Sequence, residues 1–169
     1  MRLLPALPAL AAALVLAPAV ATPAASAPPE HGLFVPGVSL GGVELGMTKR
    51  EVLRAWGPRH GVCRGCARET WYFNYRRFEP EGAGVVFRRH RVEHLFTLWQ
   101  PDGWRTVDGL ALGADEDEVG EGLVVLDERA CRGYTAVLAS GPSAVSAFYV
   151  YRGRVWGFGL IPPGRNPCL

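Results

Sequence analysis

The pattern of one sixteen-residue stretch recurs later in this chain, and a duplicated helix start followed each time by strand-like runs leaves few folds open. Shifted by 67 positions, the stretch 42–57 (GVELGMTKREVLRAWG) falls on 109–124. Gly42 meets Gly109, Val43 meets Leu110, Leu45 meets Leu112, Gly46 meets Gly113, Thr48 meets Asp115, Glu51 meets Glu118 and Val52 meets Val119. Thr48-x-x-Glu51 and Asp115-x-x-Glu118 are capping boxes, in which the first side chain and the acid three residues on satisfy helix-start amides reciprocally. Met47 with Val52, and more weakly Ala114 with Val119, have the spacing of a hydrophobic staple. Val52 and Trp56, then Val119 and Leu123, share a helix face at i, i+4. Gly120 and Gly122 each cost the second helix about 1 kcal/mol relative to Ala, so that helix is expected to be short or frayed.

Strand-like runs follow each helix start. They are 70–75, 83–88 and 92–99 in the first copy, and 133–139, 145–151 and 154–160 in the second. All are rich in aromatic and β-branched residues and bounded by Gly, Pro or charge. The last two runs of each copy predict hairpins with two-residue loops, Arg89-His90 and Arg152-Gly153, where positive φ is required. The expected fold class is α+β: two tandem α-β-β-β repeats whose antiparallel sheet carries short helices on one face. Strict alternation assigns Val85, Phe87, Val92, Phe96, Phe148, Val150 and Val155 to the helix side. The opposite side then carries Val86, Glu93, Leu95, Thr97, Trp99, Tyr149, Tyr151, Arg154, Trp156 and Phe158. With Trp104 placed on its rim, the residues Glu93, Leu95, Trp99, Trp104, Tyr149, Tyr151, Arg154, Trp156 and Phe158 form a candidate binding face. Trp, Tyr and Arg are the residues favoured at interface hot spots. The competing structural reading is that this side packs against the other repeat or the C-terminal tail.

The pattern Gly-x-x-Leu-Gly-Met-Thr-x-x-x-Val-x-x-x-x-Gly resembles the opening helix of domains related to the small lipoprotein of the outer-membrane barrel-assembly machine. In tandem, with the strands that follow, it resembles the β-lactamase inhibitory protein family. That resemblance implies paired helix-plus-sheet units presenting an aromatic-rich sheet to a partner enzyme. It rests on Val43 to Gly57 and Leu110 to Leu123 together with the strand pattern. No lipid-anchor Cys stands near the start, a departure from the lipoprotein, and no inhibitor contact residue matches by motif.

The chain opens with Arg2, an apolar run and small-x-small triplets at 19–21 and 25–27, the layout of a secretory signal peptide. Cleavage is expected after Ala21, because Pro28 would follow the other cut. The apolar core is too short for a spanning helix, so no transmembrane segment is expected in the mature chain. The resulting division is signal peptide 1–21, flexible segment 22–36, repeat 1 over 37–100, linker 101–109, repeat 2 over 110–161 and tail 162–169. Losing Arg2 takes the formal charge from +2 to +1, which offers no global field for nucleic acid or membrane. Four cysteines in an exported chain allow three disulfide pairings. Cys63–Cys66 with Cys131–Cys168 is favoured, the second closing a 38-residue loop for roughly 4 kcal/mol. Zinc is the rival use of these cysteines, but Cys131 and Cys168 do not form a second C-x-x-C.

No serine stands in a nucleophile motif. His90 and His94 straddle a turn and a strand and do not share a helical face, and His94 reads as a histidine at the core edge. The acidic run 115–118 suits a helix start, and the 88–91 run RRHR reads as a solvated hairpin tip. No catalytic, cofactor-binding or metal-ligating set is assigned. The expectation is a secreted or cell-envelope, non-enzymatic module that binds a protein or envelope component. The alternatives are an extracellular enzyme using Cys63 and Cys66 for thiol–disulfide exchange and a structural envelope protein.

Overall fold

A computed structural model describes residues 31–73, 82–98, 103–120 and 122–169; the expected leader and Trp99 lie outside them. Eleven strands and one α-helix are present among these residues, so the chain is mostly β. The strands are β1 (His31–Val35), β2 (Ser39–Leu40), β3 (Gly61–Val62), β4 (Thr70–Phe73), β5 (Gly82–Arg88), β6 (Arg91–Leu98), β7 (Gly103–Thr106), β8 (Val125–Ala130), β9 (Thr135–Ser140), β10 (Val145–Tyr151) and β11 (Arg154–Ile161). Eight of them form one antiparallel sheet in the order β3-β4-β5-β6-β11-β10-β9-β8, and β2-β1-β7 form a second, smaller sheet. The large sheet is thus two four-strand runs meeting at β6 and β11.

The helix α1 (Lys49–Trp56) starts where its sequence predicts. Thr48 N–H donates to Glu51 Oε2 at 2.7 Å, and Glu51 N–H donates back to Thr48 Oγ1 at 3.4 Å. Val52 and Trp56 are buried, and the Trp56 indole N–H donates to Gly41 O at 2.9 Å. Its ring meets Phe73 and Trp104 edge-on, at 5.1 and 6.1 Å between centroids.

The second helix is not formed. Residues Glu116–Glu118 make one 3₁₀ turn, with Asp115 N–H donating to Glu118 Oε1 at 3.0 Å. Gly120 and Gly122 then adopt φ of 114° and 73°, values that no right-handed helix holds. The expectation of two helices on one face is therefore corrected to one. The place opposite the second half of the sheet is taken by the small sheet. Phe34 of β1 stacks on Phe158 at 5.1 Å and meets Phe148 edge-on at 5.6 Å. Burying such a ring contributes roughly 2–3 kcal/mol. Residues 31–35, expected in a flexible segment, thus form strand β1 with Phe34 in the core, and the expected linker contains β7, parallel to β1.

The hairpins β5–β6 and β10–β11 have the predicted two-residue loops. Arg89 and His90 have φ of 50° and 64°, and Arg152 and Gly153 have 52° and 73°. Each hairpin is attached to its preceding turn in the same way. Val92 N–H donates to Met47 O, Gly46 N–H to Val92 O and Arg91 Nη1 to Gly46 O, all at 2.8 Å. Val155 N–H donates to Ala114 O at 2.9 Å, Gly113 N–H to Val155 O at 2.8 Å and Arg154 Nη1 to Gly113 O at 3.1 Å.

Both hairpins also carry a bulge one residue beyond that attachment. Val86 pairs with His94 and Phe87 with Val92, which leaves Glu93 extra; Tyr149 pairs with Gly157 and Val150 with Val155, which leaves Trp156 extra. An extra residue reverses the in–out alternation downstream. Leu95, Phe158 and Leu160 therefore join Val85, Phe87, Val92, Phe148, Val150 and Val155 in the core under α1 and the small sheet. Phe96, assigned to that core by strict alternation, lies on the other face with Leu98, Ala136, Leu138, Ala147, Tyr149 and Ile161.

Candidate binding face

The face away from α1 is built on glycines. A Cβ on Gly84 would lie 2.1 Å from the Phe96 ring, and one on Gly159 would lie 2.6 Å from the Tyr149 hydroxyl. Both rings lie flat over strand positions that only Gly leaves empty. Laid down this way, Tyr149 brings its hydroxyl 3.0 Å from His94 Nε2, and a hydrogen bond joins the two. Burial lowers the His94 pKa to about 4, so the imidazole is neutral near pH 7. Burial, and secondarily Tyr134, raises the Tyr149 phenol well above its usual range.

The bulge at Glu93 turns its carboxylate among arginines. Arg68 contacts Oε2, while Arg88 and Arg165 reach Oε1 at 3.3 and 3.1 Å. The Glu93 side chain is 10% exposed, a burial that an isolated carboxylate does not tolerate. The tail 162–169 contributes Arg165 to this group and continues across the face. Leu169 N–H donates to the Tyr134 hydroxyl at 2.6 Å, Pro167 is buried, and Cys168 is disulfide-bonded to Cys131. The other disulfide is Cys63–Cys66, so both favoured pairings are present and no cysteine is free.

At the hairpin end the face is open. Trp156 is half-buried, with Tyr134 5.5 Å away on one side and Tyr151 6.0 Å away on the other. Tyr151 is 42% exposed, and the Arg152 guanidinium sits 5.1 Å from its ring centroid. Cation–π contacts of this kind favour Arg.

The predicted face is therefore only partly assembled. Glu93, Tyr149, Tyr151 and Trp156 lie on it. Leu95 and Phe158 are fully buried on the opposite side because of the two bulges, and Trp104 is fully buried against Trp56 instead of standing on a rim. Arg154 is exposed but turns to Gly113 O and to Asp115, at 3.1 and 3.3 Å. Thr97 is buried. His94, Tyr134, Arg165 and the glycine seats were not singled out as site residues. The signal for the last was Gly inside strand runs rich in aromatics, at Gly84 and at Gly159.

Among the described residues no three His, Cys, Asp or Glu side chains converge as a metal site, and no helix is long and apolar enough to cross a membrane. Two disulfides fit an oxidising, extracellular or envelope setting. No protein-family model, curated protein or solved structure matches the chain.

Proposed function

We propose that this chain is an exported binding module that engages a protein or envelope component through the open end of its second sheet face. Its centre is Trp156, flanked by Tyr134, Tyr151 and Arg152. The single observation that carries this reading is the bulge at Trp156. It holds a partly exposed indole between two tyrosines, while the neighbouring large side chains Phe158 and Tyr149 are fully buried. Rigid aromatic side chains beside an Arg are the usual anchors of protein interfaces. The sheet is read as two tandem copies of one turn-plus-hairpin unit, supported by the matching loops, bulges and backbone attachments. Export is read from the apolar leader and its small-x-small triplets. The test is affinity capture with the immobilised mature chain against its Trp156→Ala and Tyr151→Ala variants, and undiminished capture by both variants would refute it.

A further inference from the structure

The C-terminal tail leaves the sheet because Pro162 and Pro163 carry no N–H to continue a ladder. It reverses at Gly164, where φ is 73° and Arg165 N–H donates to Pro162 O at 3.2 Å. It then lies across the second face on three attachments: Arg165 to Glu93 at 3.1 Å, Leu169 N–H to the Tyr134 hydroxyl at 2.6 Å, and the Cys168–Cys131 disulfide. A cleft opens on each side. One, of about 370 Å³, runs over β4–β6 and is lined by Tyr72, Val86, His94 and Phe96. The other, of about 580 Å³, runs over β8–β10 and is lined by Leu126, Leu138 and Val145. Ile161, Arg165, Asn166 and Cys168 line both. The tail is thus a wall shared by the two clefts.

We propose that residues 162–169 are a disulfide-latched strap occupying a groove for an extended peptide, and that the strap's own contacts define the ligand. The ligand takes the place of Arg165 as the third guanidinium on Glu93, beside the resident Arg68 and Arg88, and places a proline or other apolar residue two positions later, the spacing of Arg165 and Pro167. This rests on the second face being the contact surface. It adds a ligand class and a control device to it. The latch opens by exchange with a dithiol. One donor thiolate attacks Cys168 Sγ to form a mixed disulfide, and Cys131 leaves as a thiolate that takes up a proton. The donor's second thiol then displaces Cys168 as a thiol, so the donor is oxidised to its disulfide as the protein gains two electrons. Cys63–Cys66 has no part in the latch, because its bond closes only the short turn between β3 and β4.

The test compares the mature wild-type chain with its Cys131→Ser/Cys168→Ser double variant by amide NMR. In the variant, Asn166 and Leu169 are expected to be more mobile than in wild type, with shift changes confined to the residues beside the tail, Glu93, His94 and Tyr134, while the rest of β5, β6 and β10 keeps its wild-type shifts. A synthetic peptide of residues 162–169 carrying Cys168→Ser is then titrated into the variant. It is expected to move Glu93, His94 and Tyr134 resonances in a saturable way, and the same peptide with Arg165→Glu to bind at least tenfold more weakly. The tethered tail competes equally with both peptides, so their ratio is the readout. A tail that stays ordered without the disulfide, a sheet that melts with it, or two peptides of equal affinity would each overturn the proposal. The titration needs no natural partner, so its failure removes the strap and leaves the Trp156 patch standing. Conversely, capture that ignores Trp156 leaves the titration's outcome intact.

Discussion

Acid should weaken this fold in a window set by one histidine. His94 is held neutral by burial, with its pKa lowered to about 4 in the folded chain from 6.5 in a solvated one. Between those values the unfolded chain binds a proton that the folded chain refuses. Stability from this source is therefore complete above about pH 6.5 and drains as pH falls toward 4. The gap corresponds to roughly 3 kcal/mol in full, about 2 kcal/mol of it already lost near pH 5. That is a large fraction of a small domain's margin. Urea unfolding of residues 22–169 followed by circular dichroism at about pH 7, 6 and 5 measures the slope. His94→Gln keeps a polar group near the Tyr149 hydroxyl without the titration. It should cost stability at neutral pH yet erase roughly 2 kcal/mol of the acid sensitivity by pH 5. Glu51 and Glu69 do not confuse this window. Both carboxyls are held below their usual 4.5, Glu51 by Thr48 and Glu69 by Lys49, so their stabilisation is lost only at lower pH. Parallel pH profiles for wild type and His94→Gln would refute the reasoning.

Two pairs of substitutions probe the sheet and the unequal helix starts. Gly84→Ala puts a methyl 2.1 Å from the Phe96 ring and should destabilise by about 1–3 kcal/mol, whereas Gly61→Ala meets its nearest atom at 4.0 Å and should escape this penalty; thermal unfolding compares them. Thr48→Ala should cost about 1 kcal/mol by uncapping α1, and Asp115→Ala much less, because only an exposed 3₁₀ turn follows it. Equal losses in denaturant titrations would mean that the second capping motif matters as much as the first.

Much of the frame was legible in the residues because its signals are local. The capping box at Thr48 and Glu51 starts α1, the β10 run 145–151 has its predicted limits, and both hairpin loops turn at the residues expected. What escaped depended on distant neighbours. The bulges at Glu93 and Trp156 leave no mark in the residue pattern, because apolar residues stand on both sides of the slip. A single inserted residue then moved Leu95 and Phe158 into the core and Phe96 out of it. Trp104 sits in a stretch with Pro, Asp and Gly that reads as a loop, yet its strand pairs in parallel with β1, a partner some 70 residues earlier. The second helix failed for a reason visible in the sequence, since two glycines outweigh a half-made cap.

The most direct measurement on the central claim is quantitative capture of secreted and envelope components by immobilised residues 22–169, with Trp156→Ala compared with wild type and with the exposed control Val62→Ala. A hot-spot loss of at least about 2 kcal/mol predicts a drop of roughly 30-fold in the affinity of the specifically bound species for Trp156→Ala, with Val62→Ala unchanged. Equal affinity of wild type and Trp156→Ala for every bound species would contradict the assignment of the open aromatic end as the contact surface.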